Sequence, residues 1–288
     1  MMKEPARPAR PARNRHRRPP SHHLLKKPAE TKPVPSLTPG NIRIITLGGV
    51  EEIGKNMTAV EYDGDIVVID AGLEFAGEEM PGVDYIIPDI TYLEQNKSRI
   101  RAMLVTHGHL DHIGGIPFVM SRIGNPPLYT RNLTSLMIKK RHEEFPHLPA
   151  LDIRVVEKAE KIRVGKLSIK FFAVTHTIPD SMGIIIETPY GGIVTPGDYK
   201  LEHENGIPSE REEGNYKIFE TEKTLLLLAD STNVENAGFS TPEKEAHKGL
   251  DQLIGSIKGR VIIGTFASQF ERMIKIIEFS EKHGRKVA

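Results

Sequence analysis

The densest group of potential metal ligands in this sequence is a run in which His107, His109, Asp111 and His112 fall within six positions. The run follows a short apolar segment, residues 102–106, that is typical of a buried strand. His107 and His109 are two apart in an extended stretch, so both can point toward one cation. Asp111 and His112 lie where the chain turns toward a helix and can face a second cation nearby. Imidazole and carboxylate donors suit Zn²⁺ or Mn²⁺, so the run predicts a metal site.

Two later residues are candidates to complete this site. His176 and Asp198 each follow a predicted strand, one ending near residue 174 and the other near residue 195. Taken alone, each has an ordinary alternative, a solvated loop histidine or a turn aspartate. Because the ends of strands meet at the edge of a sheet, both could join the histidine-rich run there.

Composition excludes several classes of site and protein. The 288 residues include 12 histidines and no cysteine, which excludes disulfides, thiolate zinc sites and cysteine nucleophiles and fits a reducing compartment. No apolar run approaches the ~18 residues that a membrane helix needs. With 27% charged and 38% hydrophobic residues, the sequence is typical of a globular protein with a sizeable core.

The first forty residues differ from the rest. They contain 10 Lys and Arg, 2 Asp and Glu and 9 of the 21 prolines, whereas residues 41–288 contain 29 Lys and Arg and 36 Asp and Glu. Such a segment cannot bury enough apolar surface to fold, so we expect a disordered basic arm over residues 1–40. Its basic charge could attract nucleic acid phosphates, or it could be a solvated tail. A transit peptide is a third alternative, which the repeated prolines disfavour because they break an amphipathic helix.

Hydrophobic patterning from residue 41 onward predicts a mixed α/β fold. Strands are predicted at 42–47, 57–62, 65–69, 102–106, 164–174, 183–188, 192–195 and 225–229, the last of the fully buried type. Helices are predicted at 88–95 and at 132–145, the second capped by Asn132. A helix at 241–257, a strand at 261–264, a helix at 268–283 and the start of a strand at 285–288 then suggest a βαβ crossover that continues past the sequence.

Several motifs occur in the order and spacing of a known family. They are GGVEEIGKNMTAVEY, VVIDAGLEF, VTHGHLDHIGGIP, THTIPDSMG, PGDYK and LLADSTNVENAGFSTPE. Together they resemble the metallo-β-lactamase superfamily, and within it ribonuclease J of the β-CASP group. The resemblance runs from about Asn41 to the last residue.

The resemblance implies an αββα sandwich with two divalent ions at one edge, Zn²⁺ in preference to Mn²⁺. It implies that His107, His109 and His176 hold the first ion, that Asp111 and His112 hold the second, and that Asp198 bridges the two. Asp70 matches a carboxylate that orients the ligand loop, although it could be an ordinary strand-end aspartate. Asp230 matches the first acidic motif of the β-CASP group. Asp70, Asp111, Asp198 and Asp230 are therefore the expected catalytic carboxylates.

The resemblance also implies an organisation and an activity. We expect a lactamase-like domain at 41–238 and the beginning of a β-CASP domain at 239–288, in a cytoplasmic protein that forms dimers or tetramers. The implied activity is hydrolysis of RNA from the 5′ end, with internal cutting in some members. The family's last histidine ligand has no counterpart before Ala288, so we expect the chain to be incomplete. Two alternatives are a metallo-hydrolase of a thioester or lactam, and a non-catalytic metal- or RNA-binding remnant.

Overall fold

The computed structural model describes residues 34–288 of the chain. Residues 1–33 of the predicted basic arm lie outside the described residues, so the arm stays a prediction. In the described part, no helix is long and apolar enough to cross a membrane.

Fifteen strands and seven α-helices follow one another along the described chain. The strands are β1 (Ile42–Gly48), β2 (Met57–Tyr62), β3 (Asp65–Ile69), β4 (Glu74–Phe75), β5 (Tyr85–Ile86), β6 (Ile100–Leu104), β7 (Leu128–Thr130), β8 (Ile153–Val155), β9 (Lys161–Val164), β10 (Leu167–Ala173), β11 (Met182–Thr188), β12 (Gly191–Gly197), β13 (His203–Glu204), β14 (Ile207–Pro208) and β15 (Thr224–Ala229). The helices are α1 (Thr91–Gln95), α2 (Leu110–Ile113), α3 (Ile116–Val119), α4 (Asn132–His142), α5 (Glu210–Tyr216), α6 (Glu243–Ser256) and α7 (Phe270–Lys282).

Two large sheets form the centre of the fold. The first has the order β1-β2-β3-β6-β7-β8, antiparallel from β1 to β3 and parallel from β3 to β8. The second has the order β15-β12-β11-β10-β9, antiparallel except for the parallel pair β12 and β15. The parallel pairs place several strand ends at the same edge of each sheet, which is where the candidate ligands follow.

The side chains of β3 show how the layers are stacked. All five of its residues are buried, so both faces of the strand are covered. Ile66 and Val68 pack in the cluster that includes the helices α1 to α4, whereas Val67 and Ile69 pack against Phe171 and other residues of the second sheet. A third cluster joins the outer face of the second sheet to α5 and the turn after it. The predicted αββα sandwich is thereby confirmed.

The strand predicted at 225–229 exists as β15, but the expectation that it is fully buried is wrong. Leu225 and Leu227 are 47% and 56% exposed. The reason is that β15 lies at the edge of its sheet and pairs, among the described strands, with β12 alone. Leu226 and Leu228, which point to the other face, pack against the core between the sheets.

Four other details differ from the prediction. The strands predicted at 261–264 and 285–288 do not form, because no described strand pairs with either segment, and Ile262 is 90% exposed. The strand predicted at 164–174 is a hairpin, β9 and β10, that turns at Gly165 with a φ of 60°. The amide of Leu133 near the start of α4 donates to Asp180 Oδ2 at 2.8 Å, so the cap comes from a distant loop rather than from Asn132.

The layered core gives a direct test of the fold. Phe171 is fully buried between the two sheets, so Phe171→Ala should lower the free energy of unfolding by about 3–5 kcal/mol in a denaturant titration. Phe75→Ala is the matched control, because Phe75 is 67% exposed and its loss should cost less than about 0.5 kcal/mol. Equal effects of the two substitutions would contradict the packing.

Candidate metal centre

Four chain segments bring the candidate ligands to one edge of the sandwich. Asp70 directly follows β3, and the histidine-rich run follows the parallel neighbour β6 and leads into α2. His176 lies in the connection between β10 and β11, and Asp198 directly follows β12. The amide of Met182 donates to the carbonyl of Thr106 at 3.0 Å, which joins the two sheets at this edge.

Three imidazole rings converge to form the first group of ligands. His107 Nε2 lies 3.0 Å from His109 Nδ1, which lies 3.1 Å from His176 Nε2. Hydroxyl groups face the opposite nitrogens of two rings, with Thr106 Oγ1 at 3.1 Å from His107 Nδ1 and Thr177 Oγ1 at 3.3 Å from His109 Nε2. The converging nitrogens are therefore available as metal ligands.

The second group consists of Asp111, His112 and Asp198. His112 Nε2 lies 3.2 Å from Asp198 Oδ1 and 3.5 Å from Asp111 Oδ2. This group lies next to the first, since the rings of His107 and His112 have centroids 4.1 Å apart.

Asp198 faces both groups, with one carboxylate oxygen toward each. Its Oδ1 is the atom 3.2 Å from His112, whereas its Oδ2 lies 3.9 Å from His107 Nε2 and 4.0 Å from His176 Nε2. Within each group the ligand atoms lie within 4.8 Å of one another. The carboxylate thus stands between two clusters of donors, each of a size that one cation can bridge.

Asp70 fixes the ligand loop by its contacts with Thr106 and His112. It is buried, with a φ of 58°, and its Oδ1 accepts a hydrogen bond from the amide of Thr106 at 2.8 Å. Its Oδ2 accepts from Thr106 Oγ1 at 2.9 Å and lies 2.8 Å from His112 Nδ1. Because a carboxylate only accepts, His112 Nδ1 carries the proton and Nε2 is turned toward Asp111 and Asp198.

The histidines divide into two electrostatic classes. Burial lowers the pKa of His107 well below its ordinary value, and it also lowers the pKa of His109 and brings that of His176 to about 4. Burial acts in the same direction on His112, but the carboxylates of Asp70, Asp111 and Asp198 outweigh it and raise the pKa of His112 well above its ordinary value. In the metal-free chain, burial therefore favours the neutral form of three rings, whereas the carboxylates favour the protonated form of His112.

Asp230, like Asp70, is a predicted site residue that belongs to neither ligand group. It follows Ala229, which pairs with Gly197 in the neighbouring parallel strand, so it lies beside Asp198 at the same sheet edge. Its Oδ1 accepts a hydrogen bond from the amide of Thr232 at 2.8 Å, which fixes the turn after β15.

Residues 50–234 match the family profile described as the Metallo-beta-lactamase superfamily. The chain belongs to this superfamily. Membership implies divalent metal ions, and the donors described above fit that expectation, because three neutral imidazoles and a carboxylate face one point and an imidazole and two carboxylates face another.

The resemblance to ribonuclease J is also confirmed. The chain is 41% identical to ribonuclease J of Thermus thermophilus over 257 residues, which are 86% of this chain and 44% of the relative. It is 35% identical to ribonuclease J2 of Bacillus subtilis, with 86% of this chain and 44% of the relative covered. The chain spans less than half the length of these curated relatives. A crystal structure of a protein of unknown function from Enterococcus faecalis has the same fold, with a TM-score of 0.62, 21% identity, and 82% of this chain and 62% of that chain covered.

Asn56 is a site residue of this superfamily member that the sequence reasoning did not identify. Its side-chain Nδ2 donates to Asp111 Oδ2 at 3.2 Å and lies 3.1 Å from His112 Nε2. Its backbone N–H donates to the carbonyl of Asp111 at 2.9 Å. Gly72 allows this close approach, because a Cβ there would collide with the carbonyl of Asp111. The available signal was the motif GGVEEIGKNMTAVEY, which contains Asn56 but does not by itself indicate the role of this residue.

The raised pKa of His112 makes metal binding release a proton. A metal ion binds only the neutral imidazole, so the proton of His112 must leave when Zn²⁺ binds. At about pH 6, water bound to zinc is still mostly protonated, and saturation with Zn²⁺ should therefore release about one proton per chain. The lowered pKa values of the other three histidines favour their neutral forms and so reduce their contribution to this release. Calorimetric titrations in buffers of different ionisation enthalpy measure this number.

His112→Asn should abolish the release, whereas His142→Asn, which changes a half-buried histidine of α4 outside both ligand groups, should leave it unchanged. The release of no proton or of three protons by the unaltered chain would contradict the assignment of charge.

Proposed function

We propose that this protein is a two-metal-dependent ribonuclease that hydrolyses RNA phosphodiester bonds. The observation that carries the proposal is the position of Asp198, with one oxygen toward the three histidines and the other toward His112. The ribonuclease J sequences that are 35–41% identical over 86% of this chain support RNA as the substrate class. By the same resemblance, we propose exonuclease action from the 5′ end, with internal cutting as a second mode.

The proposed ligand sets follow the two groups. His107, His109 and His176 would hold the first ion, Asp111 and His112 would hold the second, and Asp198 would bridge them. We propose Zn²⁺ as the ion, with Mn²⁺ as the alternative, because nitrogen donors predominate in the first group. Two such ions supply an activated water and stabilise charge on a phosphoryl group.

The chain's own residues would prepare the site in three ways. Asp70 fixes the tautomer of His112 and the backbone of Thr106, so both neighbouring ligands are held before an ion arrives. Asn56 orients the carboxylate of Asp111. Asp230, beside Asp198, adds a negative charge at the open edge, and we propose that it supports the site without binding an ion.

Basic side chains near His176 support an anionic substrate, although residues 41–288 carry a negative net charge. A cleft of about 190 Å³ is lined by His176, Thr177, Lys200, Arg211 and Arg272, together with acidic residues. Glu243 pairs with Lys200 at 3.1 Å and with Arg272 at 2.7 Å. Arg211, whose charge also acts on the buried Glu212, forms no ion pair within residues 34–288, and we propose that it contacts a phosphate.

The organisation of the protein is proposed on similar grounds. The family match ends at residue 234, close to the predicted boundary at 238 between a lactamase-like domain and a β-CASP domain. Helices α6 and α7 lie beyond that boundary and pack together, with Lys282 Nζ 2.6 Å from Asp251 Oδ2. We propose a cytoplasmic protein that assembles as a dimer or tetramer.

The bridging role of Asp198 predicts a specific loss. Asp198→Asn replaces one ligand oxygen of both groups by an amide, so bound zinc should fall from about two ions per chain to less than one, with loss of RNA hydrolysis. Elemental analysis after dialysis measures the metal. Asp152→Asn is the control, because Asp152 pairs with Arg154 at 2.7 Å at an exposed position remote in sequence from every ligand. Two retained ions in Asp198→Asn would contradict the bridge.

The substrate class is tested with the zinc-loaded chain. A single-stranded RNA with a 5′ monophosphate should be hydrolysed, and a chelator should stop the reaction, whereas a β-lactam and a thioester should stay intact. Hydrolysis of the lactam or thioester with intact RNA would instead establish the alternative metallo-hydrolase. Binding of two ions with no hydrolysis of any of the three would contradict catalysis by this chain.

A further inference from the structure

A buried carboxylate lies directly behind the loop that carries His176. Thr175, the residue before this histidine, donates a hydrogen bond from its Oγ1 to Glu212 Oε1. Both side chains are shielded, since Thr175 is 9% exposed and Glu212 only 1%. A hydrogen bond in such surroundings fixes its donor more firmly than one in water would.

Glu212 is itself held by the fold. It lies in α5, whose cap Ser209 accepts a hydrogen bond at its Oγ from the amide of Glu212 at 3.4 Å. One turn later in the same helix, Tyr216 packs against Phe172 of the second sheet. The position of the carboxylate is therefore set by a helix docked on the sheet, independently of the ligand loop.

The burial of Glu212 is otherwise unfavourable. Its Oε2 has no hydrogen-bond partner in residues 34–288, and burial raises the pKa of Glu212 even though the bond from Thr175 opposes this shift. The charge of Arg211 and the backbone of Glu202 also lower this pKa, although no cation forms an ion pair with Glu212 in the same part of the chain. The hydrogen bond from Thr175 is the largest of the interactions that compensate this burial, and it is directed at the His176 loop.

Thr175 also connects His176 to the bridging carboxylate. The carbonyl of Thr175 accepts a hydrogen bond from the amide of Lys200 at 2.8 Å, and Lys200 is two residues after Asp198. The side chain of Thr175 is thus fixed by Glu212, and its backbone is fixed to the loop that begins with Asp198. Only the side-chain bond involves Glu212, since the bond to Lys200 uses the backbone of Thr175.

We propose that Glu212 is a positioning residue of the metal centre, which fixes Thr175 and through it aims His176 at the three-histidine group. The inference rests on the proposed metal site and adds a residue that touches neither ion. It also predicts selectivity, because Asp111 and His112 are held by Asn56 and Asp70 and make no contact with Glu212. Loss of Glu212 should weaken the first ion more than the second.

Three substitutions test the role. Glu212→Leu removes the acceptor at similar volume and should weaken the first zinc ion at least tenfold while changing the second less than threefold, as loss of an outer-shell partner does. Glu212→Gln keeps a carbonyl oxygen for Thr175 and should restore the affinity. Thr175→Val removes the donor and should reproduce Glu212→Leu, and the double variant should be no worse than either single one.

Tyr216→Phe is the matched control. Its hydroxyl is buried in the same helix one turn away and has no hydrogen-bond partner in the described residues, so its removal should leave both zinc affinities unchanged. Calorimetric titration of the metal-free chain resolves the two affinities, and circular dichroism confirms that each variant is folded. If Glu212→Leu does not fold, Thr175→Val carries the test.

The outcomes separate the two proposals. Suppose that the unaltered chain binds two ions and that Glu212→Leu and Thr175→Val bind both ions as tightly as the unaltered chain does. This result would overturn the positioning role and leave the metal site intact. Equal weakening of both ions would also overturn it, since a general loss of structure would then explain the effect. An unaltered chain that binds no zinc would overturn the proposed function and the positioning role together.

Discussion

The candidate metal centre depends on one buried carboxylate, that of Asp70, at the end of the central strand β3. Its two oxygens receive the amide and hydroxyl of Thr106 and face His112 Nδ1, so a single side chain sets the start of the ligand loop and the tautomer of a ligand. Burial strengthens these bonds, because water does not compete for the same acceptors. The left-handed backbone at Asp70 turns the chain away from β3 at this point and lets the carboxylate reach the neighbouring strand end.

The remaining candidate ligands come from the second sheet, so the site forms only if the two sheets pack in the correct relative position. The core between them, which includes Val67, Leu104, Phe171 and Ile184, fixes that packing. Asp198 of the second sheet then lies near His107 and His112, which follow the first sheet, and near His176. The geometry of the site therefore depends on the packing of the core, since a shift of the sheets would separate the two oxygens of Asp198 from their partners.

Much of this arrangement could be predicted from the sequence, because local patterns specify it. The bounds of β2 and β3 were predicted as observed, and the residues of the histidine-rich run do lie together with His176 and Asp198. The errors concern properties that depend on neighbouring strands. An apolar run such as 225–229 is compatible with a central or an edge strand, and 261–264 has the composition of a strand but finds no partner within residues 34–288. Asn56 and Glu212 were not identified because their roles arise from contacts with Asp111 and Thr175, which are distant in sequence.

The most direct test of the two-ion site bridged by Asp198 is anomalous diffraction at the zinc absorption edge from crystals of the zinc-loaded chain. The account predicts two peaks, one among His107, His109 and His176 and one between Asp111 and His112, with a different oxygen of Asp198 bound to each. A single peak, or two peaks of which either lies away from Asp198, would contradict it.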